Sequence, residues 1–306
     1  YQIGDGSATT RYAPVEIAGL SDMVAITAGA AHTCALKRTG YASCWGVNNN
    51  GVLGNPVVLN GQARSRPYPV ADALGLAGIF GGWNHICASH RDGPARCWGL
   101  NTSGELGLGD KTNRTLPTVV TKLGAINDYD GGRNHGCGLR PDGTVHCSGI
   151  NSNGQLGDGS VTQRLEPVAV VGLSAIVSVA TGGYHSCAAR GDGNVYCWGR
   201  GTEGQLGNGN KINKTLALPI AGSAALPGAQ QGCNANVDCA TSGDPCLVPT
   251  CAQGKCIYGA AKDGVSCNDG SGCTTTDVCA AGKCVGTKVN CDDGNACTAE
   301  HCEGRQ

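Results

Sequence analysis

Between residues 21 and 222 the apolar positions fall in short runs cut by glycine pairs. A helical core would instead place leucine and alanine at 3.6-residue spacing, so the pattern predicts strands joined by many turns. Four segments carry the same pattern: AGAAHTCALKRTGYASCWGVNNNGVLG, GGWNHICASHRDGPARCWGLNTSGELG, GGRNHGCGLRPDGTVHCSGINSNGQLG and GGYHSCAARGDGNVYCWGRGTEGQLG. Their second cysteines are Cys44, Cys97, Cys147 and Cys197, which sets a period of 50 to 53 residues. That period suits a four-stranded propeller blade.

Each segment predicts a hairpin. Cys187 and Cys197 lie symmetrically about Asp192, and Asp192-Gly193 is a turn signal because glycine accepts the positive φ of a tight turn. Residues placed symmetrically about a hairpin turn face one another, with Cβ atoms about 4.5–5.5 Å apart, close to the separation a disulfide needs. Cys34 with Cys44, Cys87 with Cys97, and Cys137 with Cys147 share this symmetry. Four local disulfides are expected, each contributing about 3 kcal/mol at most for so short a loop. Trp45, Trp98 and Trp198 follow the second cysteine and are expected between neighbouring blades. Ser148 stands there in the third segment and predicts a weaker contact. The glycine pairs Gly81-Gly82, Gly131-Gly132 and Gly182-Gly183 predict close backbone approach near a crowded axis.

Cysteine usage changes the picture from fold to compartment. Twenty cysteines in a regular pattern, with no CxxC, argue against zinc and for a disulfide framework in an oxidising, extracellular or cell-surface setting. The formal charge is −1 and no run of Lys or Arg exceeds two residues, so neither nucleic acid nor membrane insertion is expected.

The pattern GGxxHxC…DGxxxCWGxNxxGQLG resembles the regulator of chromosome condensation repeat family over residues 1–222. The cysteine pair departs from the nuclear member and is similar to a bacterial secreted branch. The resemblance implies a propeller, in that family generally of seven blades. It does not carry over the nuclear member's exchange activity on a small GTPase, whose loops and basic tail find no match here. A bacterial secreted relative that inhibits a hydrolase shows that the fold serves pure binding. The expected organisation is a half unit at 1–20, blades at 21–72, 73–123, 124–173 and 174–222, a linker at 223–232 and a tail at 233–306. Residues 1–20 align with the back half of a unit, so about four and a half units are present. The favoured reading is a piece of a longer chain; completion by another subunit comes second, and an open arc that stacks into a polymer third.

The tail holds twelve cysteines and no Trp or Phe, too little apolar bulk to fold without staples. It repeats as CNDGSGCTTTDVCAAGKC and CDDGNACTAEHC. It resembles the cysteine-rich repeats of extracellular matrix proteins of social amoebae and of secreted myxobacterial proteins, where such modules are stalks or spacers. The pairing of Cys233, Cys239, Cys246, Cys251, Cys256, Cys267, Cys273, Cys279, Cys284, Cys291, Cys297 and Cys302 cannot be read from spacing.

Candidate chemistry is sparse. His32, His85, His135 and His185 recur at one blade position, which favours a structural role over metal ligation. Asp292-Asp293-Gly294-Asn295 and Asn268-Asp269-Gly270 set oxygen atoms beside turn glycines. They lack the twelve-residue calcium loop, so pinned turns are expected, with calcium binding the alternative and no other cofactor expected. Asn101, Asn113 and Asn213 begin N-x-[ST] triplets and are expected to be exposed glycosylation acceptors. GxSxG, HExxH and the P-loop are absent from the sequence. The leading expectation is a non-catalytic structural or binding scaffold. Its partners would be proteins, further copies of itself, or cell-surface and matrix glycans. A secreted binder or inhibitor of one partner ranks lower, because the blade loops are poor in aromatics. A propeller lyase or hydrolase ranks third and a nuclear exchange factor fourth.

Overall fold

The computed structural model describes residues 1–220, 246–252, 255–266, 274–281 and 283–288. The chain divides into two compact units, Tyr1–Ala224 and Ala225–Gln306. The first unit carries four antiparallel sheets of four strands each, every one a meander. They are β1 (Met23–Ala28), β2 (His32–Lys37), β3 (Ala42–Val47) and β4 (Ala63–Pro69); β5 (Leu76–Gly81), β6 (His85–His90), β7 (Gly93–Gly99) and β8 (Arg114–Val119); β9 (Asp128–Gly131), β10 (His135–Leu139), β11 (Val145–Gly149) and β12 (Arg164–Ala169); and β13 (Ile176–Thr181), β14 (His185–Arg190), β15 (Val195–Gly199) and β16 (Lys214–Pro219). The fold is all-β with propeller blades, as the repeat predicts.

The second and third strands of each blade bring the cysteines opposite one another. Cys34 pairs with Cys44, Cys87 with Cys97, Cys137 with Cys147 and Cys187 with Cys197 in strand register, each with Cα atoms 4.1 Å apart and a disulfide between them. Between the third strand and the fourth the register slips at the glycine after the Trp or Ser position. Gly99 has φ +99°, and a Cβ there would press on the Asn84 carbonyl, so a side chain is excluded on both counts.

Packing occurs between blades. One buried cluster joins Cys34, Leu36 and Cys44 of the first blade to Ile79, Ile86 and Trp98 of the second. A second joins Cys87, Cys97 and Leu106 to Leu123, Ile126 and Tyr129. A third joins Cys137, Leu139 and Cys147 to Val179, Tyr196 and Trp198. The disulfides of the first three blades therefore sit inside the inter-blade core, where their burial adds to the constraint on the hairpin. Residues 2–4 serve the first blade as later loops serve the others: the Gln2 carbonyl accepts from Trp45 Nε1 at 2.8 Å and from Thr33 Oγ1 at 3.0 Å. Beyond them the first blade is open, since Ile26 is 68% exposed while its register equivalents Ile79, Tyr129 and Val179 are at most 6% exposed.

Trp98 Nε1 donates to the Val52 carbonyl and Trp198 Nε1 to that of Gln155, each at 2.9 Å across a blade boundary. The weaker contact expected at Ser148 is offset in two ways. Its hydroxyl donates to the equivalent carbonyl, Glu105 O, at 3.2 Å. The Tyr129 phenol lies over Gly136, the cross-strand partner of Ser148, so that a Cβ at Gly136 would collide with it. An aromatic ring from the first strand thus fills, beside Ser148, space that the Ile86 side chain fills in the second blade.

In the second unit β17 (Leu247–Ala252) pairs with β18 (Lys255–Ala260), and β19 (Thr274–Ala280) with β20 (Lys283–Lys288). Cys251 is in register with Cys256, and Cys279 with Cys284. A disulfide links buried Cys246 to buried Cys279. Cys233, Cys239, Cys267, Cys273, Cys291, Cys297 and Cys302 lie outside the described residues, as do the linker at 223–232 and both candidate calcium turns.

Candidate protein-interaction face

The first strand of each blade ends at a glycine that admits the ring of the blade's repeat histidine. A Cβ on Gly29, Gly82, Gly132 or Gly182 would collide with the imidazole Cε1 of His32, His85, His135 or His185. This close approach is the physical content of the glycine pairs. In the fourth blade Thr181 stands where the first glycine stands elsewhere, so Gly182 takes the role and Gly183 occupies the position of Trp83 and Arg133. The backbone just beyond runs from blade to blade: Ala30 N donates to Trp83 O at 3.0 Å, Trp83 N to Gly132 O at 3.2 Å and Arg133 N to Gly183 O at 3.3 Å.

That ladder fixes an exposed row of side chains on one face of the blade array. Trp83, 44% exposed, is followed around the row by exposed Arg133 and half-buried Tyr184. The Arg133 guanidinium carbon lies 5.0 Å from the Trp83 ring centroid and 5.7 Å from that of Tyr184, and Nη1 donates to the Tyr184 hydroxyl at 2.6 Å. Arg200 closes the far side of Tyr184 at 6.0 Å, held there because its amide donates to the Tyr184 carbonyl at 2.9 Å. Each stack is worth about 0.5–1 kcal/mol at an exposed site. Rigid aromatics with arginine are the residue types that dominate the energetics of protein interfaces.

Beneath the row lie the histidines, and they are structural. His85 Nε2 meets the Tyr129 hydroxyl at 3.1 Å and His135 Nε2 meets Ser186 Oγ at 3.0 Å. Because Ser186 Oγ donates to the Gln155 carbonyl at 2.9 Å, His135 Nε2 is the donor in its bond. Burial pushes His32 down to about 4 and His135 to about 4. It pushes His85 to about 3, with the neighbouring imidazoles His135 and His32 adding to the effect. Burial also lowers His185. All four are neutral at physiological pH. Burial raises the Asp130 carboxyl despite the amides of Thr181 and Gly131 that stabilise its charge.

The glycosylation candidates fare differently from expectation. Asn101 is fully buried, because its side chain braces the GxLG loop: Oδ1 accepts from Leu106 N at 3.0 Å and Nδ2 donates to Asp110 Oδ1 at 3.0 Å. Asn113 is half-buried and its carbonyl oxygen accepts from Asn101 N at 2.8 Å. Of the three, Asn213 alone is exposed, and its Oδ1 accepts from Gly201 N at 3.0 Å. At Asn101 the triplet marks loop bracing, since a buried amide offers no nitrogen to a glycan.

A cleft of about 490 Å³ opens on the first blade, lined by Gln2, Tyr12, Val15, Ile26, Thr33 and Trp45 among others. Arg11 at its rim is paired with Asp5 at 2.6 Å and Thr33 is bonded to Gln2, so the lining presents no nucleophile beside a base.

The repeat pattern marks the blades but not the face. Trp83 and Arg133 occupy a variable position inside the otherwise repeated GGxxHxC motif, and Tyr184 the one after it. Variation at fixed backbone geometry was the available signal. The loops are poor in aromatics, but the row beside the axis is not.

Residues 93–139, 142–189 and 192–225 match the Regulator of chromosome condensation (RCC1) repeat, and a second description of the same repeat matches 23–52, 77–105 and 176–205. Over 121 residues the chain is 32% identical to the ultraviolet-B receptor UVR8 of Arabidopsis thaliana, covering 38% of this chain and 27% of the receptor. It is 31% identical over 114 residues to the probable E3 ubiquitin-protein ligase HERC4 of Mus musculus, covering 36% of this chain and 11% of the ligase. Among solved structures, yeast RCC1 (Prp20) in its complex with Kap60 superposes with a TM-score of 0.59 at 20% identity, over 80% of this chain and 56% of that one. Human WBSCR16 gives 0.58 at 19% identity, over 68% and 54%. The chain spans only a minor part of these curated relatives, so their whole-protein activities do not transfer with the fold. What transfers is the repeat: this chain belongs to the RCC1 repeat family.

Proposed function

We propose that this protein is a secreted, non-catalytic binding scaffold whose blade array presents the Trp83–Arg133–Tyr184–Arg200 row to a protein partner. The observation that carries the reading is the row itself. It combines an exposed indole, a guanidinium between two rings and a second arginine, all mounted on a backbone ladder between blades. Structural neighbours support it, since yeast Prp20p has been studied for its binding to Gsp1p and histones. The exported location is supported by the four intra-blade disulfides, which a reducing cytosol would oppose. The cysteine-rich second unit fits a spacer that carries the blades away from a surface.

The test is site-specific photo-crosslinking. A benzophenone at position 83 in the native extracellular milieu captures a defined protein, an Arg133→Ala background lowers that yield, and the same probe at fully exposed Tyr12 captures none. Equal capture from both positions overturns the assignment of the face.

A further inference from the structure

We propose that Arg133 is a carboxylate receptor, so that the partner segment docking on this face is acidic. The inference rests on the reading of the row as a protein-binding face and names the chemistry that face selects. Five arginines of the first unit are tied to carboxylates, Arg11 to Asp5, Arg114 to Asp110, Arg164 to Asp158, Arg190 to Asp192 and Arg200 to Glu203, all within 2.9 Å, whereas others such as Arg91 and Arg140 donate to backbone carbonyls. Among the described residues Arg133 makes no such pair. The nearby carboxylate that could neutralise it, Glu105, is 1% exposed and already committed. Its Oε1 accepts from Asn134 Nδ2 at 3.0 Å and its Oε2 from Ser103 N at 2.7 Å.

Arg133 is nonetheless held in place. The rings of Trp83 and Tyr184 flank the guanidinium and the Tyr184 hydroxyl occupies Nη1, so a ligand meets an ordered planar fork with N–H groups to spare. A ligand that covers the two rings beside the charge displaces water from it on docking, which strengthens a charge-assisted bond formed there. Arg200, already paired, adds little net charge. A single unneutralised cation beside an exposed indole matches one Asp or Glu next to an apolar residue. It does not match a polyanion, which would require many basic contacts.

The experiment selects a phage-displayed random dodecapeptide library on the intact, non-reduced chain. Recovered peptides are then synthesised and their affinities measured against the wild type, Arg133→Ala and Trp83→Ala, with thermal melts to verify folding. The expected result is enrichment of Asp or Glu beside an apolar residue. Arg133→Ala weakens binding at least about tenfold, as removal of one interface hot spot does. Changing the peptide acid to its amide costs a similar factor against the wild type and little against Arg133→Ala, while Arg133→Lys recovers only part of the loss. Enriched peptides without acids, bound more weakly by Trp83→Ala but equally by Arg133→Ala, overturn the acid preference and leave the face standing. A library that yields no enrichment overturns both.

Discussion

Restoring the repeat's tryptophan at position 148 lowers stability. In the second blade Ile79, Ile86 and Trp98 share one packed boundary. In the third blade the corresponding positions are Tyr129, Gly136 and Ser148. The Tyr129 phenol covers Gly136 and bonds His85 of the neighbouring blade at 3.1 Å, and Tyr129 is only 4% exposed. An indole at 148, directly across from Gly136, meets this phenol where the second blade sets only aliphatic side chains. Overpacking of this kind costs about 1–3 kcal/mol. At about 2–4 °C per kcal/mol for a unit of this size, the melting temperature falls by about 2–12 °C. The reverse change in the second blade, Trp98→Ser, meets no compensating ring. It deletes a fully buried side chain and its bond to Val52 O. The cost there is about 3–5 kcal/mol, or about 6–20 °C. Differential scanning fluorimetry on oxidised protein reads both. Combining Tyr129→Ile with Ser148→Trp recovers part of the loss, and the double-mutant cycle departs from additivity by about 1 kcal/mol or more. A melting temperature that rises for Ser148→Trp alone refutes the account of compensation.

Acid destabilises the blades through the buried histidines. Because burial holds their folded pKa values below the unfolded value of about 6.5, the unfolded chain binds more protons, and stability falls as pH drops from about 6.5 towards 4. A melting temperature that stays flat between pH 7 and 4.5 contradicts this. Asn101→Ala leaves Leu106 N without its acceptor and lowers stability by about 1–3 kcal/mol, measured by guanidinium unfolding; a shift within error sinks the bracing role. Glycopeptide mapping after expression in a glycosylating host finds no sugar on folded protein at Asn101, and occupancy there disproves its burial.

The blades were legible because their determinants are local. Cysteine symmetry about Asp192-Gly193 and a turn glycine fix register within a single hairpin, so the strand pairing followed from spacing. The inter-blade arrangement was less legible, since it depends on residues about 50 positions apart. Nothing within one segment shows that Tyr129 replaces an aliphatic residue while Gly136 and Ser148 shrink to receive it. The same limit hid the face. Trp83, Arg133 and Tyr184 come from three blades and meet only through the ladder between them. The N-x-[ST] triplets misled for the converse reason. Asn is also the residue that best folds a loop back on itself, and at Asn101 that use consumes the amide.

The most direct measurement is peptide mapping of the unreduced protein by mass spectrometry. The account predicts four linked peptides within the first unit, joining Cys34 to Cys44, Cys87 to Cys97, Cys137 to Cys147 and Cys187 to Cys197. Free thiols at these positions, or links that cross from one blade to another, contradict it.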